Sequence, residues 1–549
     1  MPTIARLVLA FAVGASPVAA QLPSMRPDVG GIEAAVTSDH VLASAAGMEV
    51  LKRGGNAVDA AITMAGVLAV VHPHMNGVGG DVFMLIKPAG GGEIQALNGS
   101  GRAGGKATPA FFREKGLTAV PGSGILSVSV PGAVRAWADA LERHGTITLA
   151  QALQPAIRYA ERGFPVSPRL NADIGDAKRK LAADPELARI FLPNGEPPAV
   201  GTLVKQPELA RTLRAIATGG PNALYRGGLA KQIATFIDRE GGLVTADDLA
   251  RHRSTWEKPI SSTYHGHPVI AFPPNTQGVT LLEQLNLAEL SPLDSMGRNS
   301  ADYIHTLVEG AKLAYADRDR YVADPAFAQV PVDRLISKEY AAELARQLRD
   351  KTRANDSAST GRDGNGDTVF LGVVDRNGNA VSMIQSLFAS FGSGRMVPGT
   401  GITLHNRGSL YSLDSTHVNI IAPGKRPYHT LCPAMVLRPD RSLMMVVGTP
   451  GGDGQPQTLV QVITNVLRFG MTPQQAVEAT RFRWYGRTRL GVEPGIPADI
   501  REGLTKRGHQ VVVQEPSEEF GGAQVILVTP SGARVAGADP RREAYALAW

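Results

Sequence analysis

The chain has a single cysteine, Cys432, in 549 residues. That excludes an internal disulfide, a CxxC motif and a cysteine-rich metal site. Beyond the N-terminus no apolar run is long enough to cross a bilayer. There is no run of Lys and Arg and no aromatic ladder. The formal charge of +6 is well mixed along the chain, so nucleic acid is not an expected partner, despite a pI near 9.3. A phosphate loop is missing, because Gly105-Lys106 has Ser100 where the first glycine belongs and Ala107 after the lysine. There is no HExxH pair; His72 and His74 flank Pro73 in a turn and read as structural. A Gly-x-Ser-x-Gly elbow is also lacking. No metal and no cofactor are expected.

What is present is an ordinary globular composition, 43% hydrophobic and 19% charged, long enough for several cores or one large α/β unit. Its 61 glycines cluster in pairs and triplets such as Gly79-Gly80, Gly90-Gly91-Gly92 and Gly451-Gly452, marking tight turns and close backbone approaches. Residues 1–20 read as an export signal: Arg6, the apolar stretch Leu7 to Ala15, then the small residues Val18-Ala19-Ala20. Cleavage after Ala20 and a periplasmic or secreted protein are expected, held together by its core alone.

Helical spacing appears at Leu42 to Arg53 and Ala57 to Val71, followed by a strand at Val82 to Ile86. The region from about 107 to 350 reads as mostly helical, with helices at Ala133 to His144, Leu149 to Arg162, Leu209 to Ala217 and Tyr303 to Arg318. Residues 352–367 contain nothing that buries well and read as an exposed, flexible linker. Strand patterning resumes at Thr368. Thr368 to Asp375 and Ala380 to Leu387 flank Arg-Asn-Gly-Asn, a hairpin signal. A two-residue loop sets Thr368 opposite Leu387; a three-residue loop with a bulge sets it opposite Ser386. Ser442 to Val447 reads as a further strand running into Gly-Thr-Pro-Gly-Gly-Asp-Gly (448–454), a turn that leaves backbone N–H donors for an oxyanion.

Thr368 is the chemically pointed residue. A cut before it would put a free α-amine and a hydroxyl on one residue, which then supplies both base and nucleophile. The amine titrates near ~7.7–8, so it accepts a proton at neutral pH.

Together these segments resemble the γ-glutamyltransferase family of N-terminal-nucleophile hydrolases, in its divergent glutathione hydrolase-like branch. The likeness runs through Leu42-Ala43-Ser44-Ala45-Ala46-Gly47, Leu51 to Ala61, Ser129-Val130-Pro131-Gly132, Gly241 to Thr245 with Asp248-Leu249, and Lys312 to Arg318. It continues through Lys425-Arg426-Pro427 and Pro450-Gly451-Gly452. The resemblance implies an α/β fold, a four-layer αββα sandwich, formed from a self-cleaving precursor. It implies a cleavage site at Asp367–Thr368, a large subunit of about 21–367 and a small one of 368–549. Thr368 is then the nucleophile of processing and of turnover, Gly451 and Gly452 are the oxyanion glycines, and Ser386 stands where the family has a threonine.

Several head-group positions depart from the family pattern. Asn98-Gly99-Ser100-Gly101 replaces the motif whose Arg grips the substrate α-carboxylate, leaving Arg102 as substitute or as a solvated loop charge. Leu410, in Asn406-Arg407-Gly408-Ser409-Leu410, stands at the acidic position for the substrate α-amino group. An apolar residue cannot pair an ammonium. His429-Thr430 replaces a serine pair, and Arg407 with His429 reads either as a new anion-recognising pair or as a surface Arg and a loop His. The expected activity is cleavage or transfer of the γ-glutamyl group of a glutathione-like amide, with water or an amine as acceptor. A rival within the same chemistry is an amidohydrolase for another acidic amide, oxamate-like or a β-lactam acyl side chain. A reading of another class is a non-catalytic binding protein on the same fold. The expected assembly is a large/small heterodimer or a dimer of these, with no membrane contact once the signal is removed.

Overall fold

The computed structural model describes residues 24–346 and 366–549, the side chains of Asp367 and Glu518 excepted. The expected export signal, and residues 352–365 of the expected linker, lie outside the described residues. In chain order the sandwich strands begin with β1 (Val29–Gly31), β2 (Ala35–Ser38), β3 (Asp81–Lys87), β4 (Gln95–Asn98) and β5 (Thr255–Glu257). Next come β6 (Ile260–Tyr264), β7 (His267–Ala271), β8 (Asp367–Val374), β9 (Ala380–Phe388) and β10 (Ala434–Leu437). The last are β11 (Leu443–Gly448), β12 (Gln524–Val528), β13 (Arg534–Ala538) and β14 (Tyr545–Ala548). One seven-stranded sheet has the order β14-β2-β8-β9-β3-β4-β5, the other β1-β13-β12-β11-β10-β7-β6. Every pairing within both sheets is antiparallel.

Three buried clusters define four layers. Between the sheets lie Phe83, Phe370, Ile384, Met435, Val446 and Ile526, drawn from both. Outside the first sheet, Val369, Leu371 and Met383 share a cluster with α1 (Val41–Lys52) and with α2 (Ala57–Val71), which is buried along its whole length. Outside the second, Met445 and Val447 pack on α3 (Gly278–Glu289), α4 (Ala301–Tyr321) and α5 (Gln455–Leu467). The expected αββα sandwich is therefore the observed fold. The long apolar run after Thr368 follows from it: β8 is covered on both faces, so it lacks the polar alternation of a half-exposed strand. Each fully buried Phe or Leu in such a strand contributes ~1.5–3 kcal/mol. The fit between the sheets is tight, since a Cβ on Gly448 would lie 2.0 Å from the Phe370 ring.

Three sequence expectations need correction. The strand opens at Asp367, not Thr368, because Asp367 still pairs with Phe388. The helix expected over 149–162 divides into Leu149–Ala152 and Gln154–Arg162, where Pro155 lacks the N–H that would continue it. The region 107–350 also holds β5, β6 and β7, which complete the edges of both sheets. These are short, and β6 carries a half-exposed face, so its pattern is easily lost among helices.

Candidate active site

The β8–β9 hairpin sets the first geometry. Asp375 N donates to Asn379 O at 3.0 Å, leaving the loop residues 376–378, with Gly378 at φ 88. Pairs from Val374↔Ala380 to Val369↔Gln385 follow, and then the register shifts to Asp367↔Phe388. The extra residue lies on β9, so Thr368 faces both Ser386 and Leu387, and the two expected registers meet in one bulge. Thr368, Phe370 and Val374 share the face toward the other sheet, as do Ser386 and Ile384. The Thr368 hydroxyl donates to Ser386 Oγ at 3.2 Å, and Phe388 N–H donates to the same oxygen at 2.7 Å. Thr368 and Ser386 are 1% and 0% exposed.

The second sheet contributes the turn after β11. Gly451 has φ 124 and Gly452 φ 56, values that favour glycine, and the turn enters α5. It is braced from three sides. Gln277 Nε2 donates to Gly452 O at 3.1 Å and to Thr430 O at 2.6 Å. The Tyr428 hydroxyl donates to Asp453 Oδ1 at 3.2 Å, and Arg318 Nη1 lies 3.3 Å from it. The Tyr315 hydroxyl donates to the Asp453 carbonyl. Tyr315 and Arg318, both within the Lys312–Arg318 motif on α4, thus hold the glycine turn rigid. A held glycine turn at the start of a helix suits developing negative charge. In the uncut chain a Cβ on Gly366 would lie 2.7 Å from Gly452 Cα, so the chain one residue ahead of Asp367 rests directly on this turn.

A buried polar cluster adjoins the pair. Asp81 is opposite Ser386 in the β3–β9 ladder. Its Oδ2 accepts from Arg407 Nε at 3.0 Å and lies 3.2 Å from His405 Nδ1; its Oδ1 accepts from Arg407 Nη2 at 3.3 Å. His429 Nε2 sits 3.0 Å from Oδ2 without the alignment of a hydrogen bond. Burial works against ionisation of Asp81, but Arg407, His429 and His405 outweigh it and hold its carboxyl well below the usual range. Burial and the Arg407 charge push the His429 imidazole down to about 4, so it is neutral at pH 7. Arg407 Nη1 donates to Thr430 Oγ1 at 3.2 Å, and its guanidinium stacks 4.6 Å from the Phe388 ring centre. Arg407 and His429 are fully buried, not a surface pair.

The remaining sequence candidates fall in different places. Asn406 is a clamp, accepting from Ala389 N at 3.0 Å and donating to Gly122 O at 2.7 Å. Leu410 packs with Val322, Tyr428 and Phe388 in a small apolar wall. Ser100 is buried, with its carbonyl taking Arg426 Nε at 3.2 Å. Arg102 donates to the Arg253 carbonyl at 3.2 Å and lines a separate cleft with Asp248, Arg251 and His252. The structure therefore brings together Thr368, Ser386, Gly451, Gly452, Arg407, His429 and Thr430, and none of the contacts of Arg102 reaches them. Asp81, Gln277, Phe388 and Tyr428 were missed by sequence reasoning. Asp81 had a signal: an acid placed directly after Gly79-Gly80 at the head of a wholly apolar strand. His305, Glu309 and His509 lie within 4.8 Å of one another, but Lys312 Nζ donates to Glu309 at 2.6 Å, where a metal cation would compete with it.

A buried threonine hydroxyl paired with a serine in an αββα sandwich, two residues from a glycine that rests on a braced Gly-Gly turn, is the arrangement expected of an N-terminal-nucleophile hydrolase. Comparison with known proteins narrows the class. The family described as Gamma-glutamyltranspeptidase matches residues 43–549. The glutathione hydrolase-like YwrD proenzyme of Bacillus subtilis (strain 168) is 41% identical over 531 residues, 95% of this chain and 100% of its own. The Acylase ACY 1 proenzyme of Pseudomonas sp. (strain SE83) is 37% identical, with 91% of each chain covered. The crystal structure of a cephalosporin acylase from Bacillus halodurans superposes with a TM-score of 0.90 at 38% identity, covering 98% of this chain and 99% of that one. The chain belongs to the γ-glutamyltranspeptidase family. It is an enzyme of the N-terminal-nucleophile type, related to proteins made as proenzymes.

Proposed function

We propose that the protein cleaves itself between Asp367 and Thr368 and then hydrolyses or transfers the γ-glutamyl group of glutathione-like amides through an acyl-enzyme on Thr368. The 3.2 Å contact between the Thr368 and Ser386 hydroxyls carries this reading. In processing, the Thr368 oxygen attacks the Asp367 carbonyl, the C–N bond breaks, and water opens the resulting ester. The α-amine so freed takes the hydroxyl proton in each later turnover, while Ser386 orients the hydroxyl. The Gly451-Gly452 turn receives the oxyanion. Asn406 shapes the bulge; Arg407, His429 and Thr430 line the acyl pocket. The pattern of residues 1–20 supports export to the periplasm or beyond, and the processed chains form a large/small heterodimer or a dimer of it. Intact mass followed by N-terminal sequencing tests the scheme. A fragment of 182 residues (549 − 368 + 1) beginning at Thr368 is expected. A single uncut chain without amidase activity would move the weight to a binding protein on this fold.

One observation favours a second acyl donor. Leu410 and its apolar wall offer no partner for a substrate ammonium, which suits an acidic amide without an α-amino group, oxamate-like or a β-lactam acyl side chain. Parallel assays with γ-glutamyl and glutaryl p-nitroanilides separate the two.

A further inference from the structure

We propose that Asp81 is a positioning residue which aims Arg407 at a carboxylate of the acyl donor, taking over the carboxylate recognition lost at Ser100. Asp81 opens β3 directly opposite Ser386, two strands from Thr368 on the same face. Its carboxylate grips one edge of the guanidinium, Nε at 3.0 Å and Nη2 at 3.3 Å. A forked pair of this kind fixes the plane of an arginine, not only its position. With that edge committed, Nη1 points the other way and reaches Thr430 Oγ1 at 3.2 Å.

The surroundings place Arg407 between the two halves of the site. On one side it stacks on Phe388, whose N–H caps the Ser386 oxygen. On the other, Thr430 is tied through Gln277 to Gly452. The contact proposed for the carboxylate is with Nη1 and the Thr430 hydroxyl; both residues are buried in the uncut chain, so this is a site of the processed enzyme. Leu410 and Tyr428 then line the rest of the acyl chain. Because Asp81 already balances the Arg407 charge, selection rests on the direction of the Nη1 donor more than on net charge. It takes an acyl group with a terminal carboxylate and does not require an ammonium. His405 holds Asp81 from behind, with Nε2 3.0 Å from the Ser129 carbonyl.

This assignment rests on the reading of Thr368 as the acylated residue, and the test separates the two. Calorimetry on the processed protein with glutarate and with pentanoate reports the pocket without turnover. Release of nitroaniline from glutaryl- and pentanoyl-p-nitroanilide reports the chemistry. Wild-type protein is expected to bind glutarate at least about tenfold tighter than pentanoate. In Asp81→Asn and in Arg407→Gln that ratio falls to about threefold or less, and Asp81→Asn/Arg407→Gln shows no further loss, as expected for residues acting as a unit. A purely structural Asp81 would lower stability but leave the ratio intact in the folded fraction. Equal binding of the two acids by wild type, or a ratio preserved in Asp81→Asn, overturns the proposal. Preferential glutarate binding without any nitroaniline release sinks the Thr368 chemistry and leaves the Arg407 assignment standing.

Discussion

Replacing Ser386 by alanine removes one oxygen that accepts two donors, the Thr368 hydroxyl at 3.2 Å and Phe388 N–H at 2.7 Å. The shared oxygen belongs to a fully buried residue, where water does not take over. Each lost hydrogen bond costs roughly 0.5–1.5 kcal/mol, so a loss of about 1–3 kcal/mol in stability is expected. At ~2.1 cal/mol/K of unfolding entropy per residue, a chain of this size loses only about 1 °C of Tm per kcal/mol. The kinetic loss has a different origin. Without Ser386 the Thr368 hydroxyl swings away from the line of attack, and self-cleavage and turnover should fall together by about 10–100-fold, or ~1.4–2.7 kcal/mol. Gel densitometry of precursor against time reads the first, and nitroaniline release reads the second. Ser386→Thr retains the oxygen and should recover most of both rates. Wild-type rates in Ser386→Ala would refute the pairing; a rate loss in one reaction only would show that processing and turnover use different partners.

Thr368→Ala should give an uncut, inactive chain by intact mass, and Thr368→Ser a slowly cut, weakly active one. Gly451→Ala forces a side chain into φ 124 at the oxyanion turn and should lower kcat about 100-fold. Gly366→Ala places a Cβ 2.7 Å from Gly452 Cα and should slow self-cleavage visibly in a time course. Stability should fall on acidification from pH 6.5 toward 4: unfolded His429 takes up a proton there while the folded imidazole, held down to about 4, does not. The slope is about 1.4 kcal/mol per pH unit for that one group, and denaturant midpoints of His429→Gln should show it flattened. Asp39, pushed up to about 7 by burial, acts in the opposite sense and makes the net slope shallower.

The Thr368 strand was legible because it depends on local pattern, whereas the sandwich was implied by the family resemblance. An Asn-Gly hairpin with apolar arms folds one way almost wherever it is placed, and a Gly-Gly turn after a strand needs glycine for its φ. The Ala57–Val71 helix is equally local, with Asn56 and Asp59 forming a capping box at its start. The acyl pocket is a different matter. Asp81, Arg407 and Thr430 meet from three distant segments, and their pairing depends on the ladder that sets Asp81 against Ser386. Nothing within β3 announces which cation its carboxylate will meet. Arg102 misled for the complementary reason: it stands two residues beyond a family position, but the chain turns at Ser100 toward Arg426 and carries Arg102 to another cleft.

The strand order has a consequence for what self-cleavage does to the molecule. A cut before Thr368 leaves β8 and β9 in one product, seated between β2 and β3 of the other, while β7 of the large product lies against β10 of the small one. The nick therefore creates no docking face that two partners could leave and find again. Each product alone would be a torn sheet with raw edges on both sides. Dilution should not part them at any concentration that leaves the fold intact. On the proposed cut, separation and denaturation should be a single event, with the two products unfolding as one cooperative body.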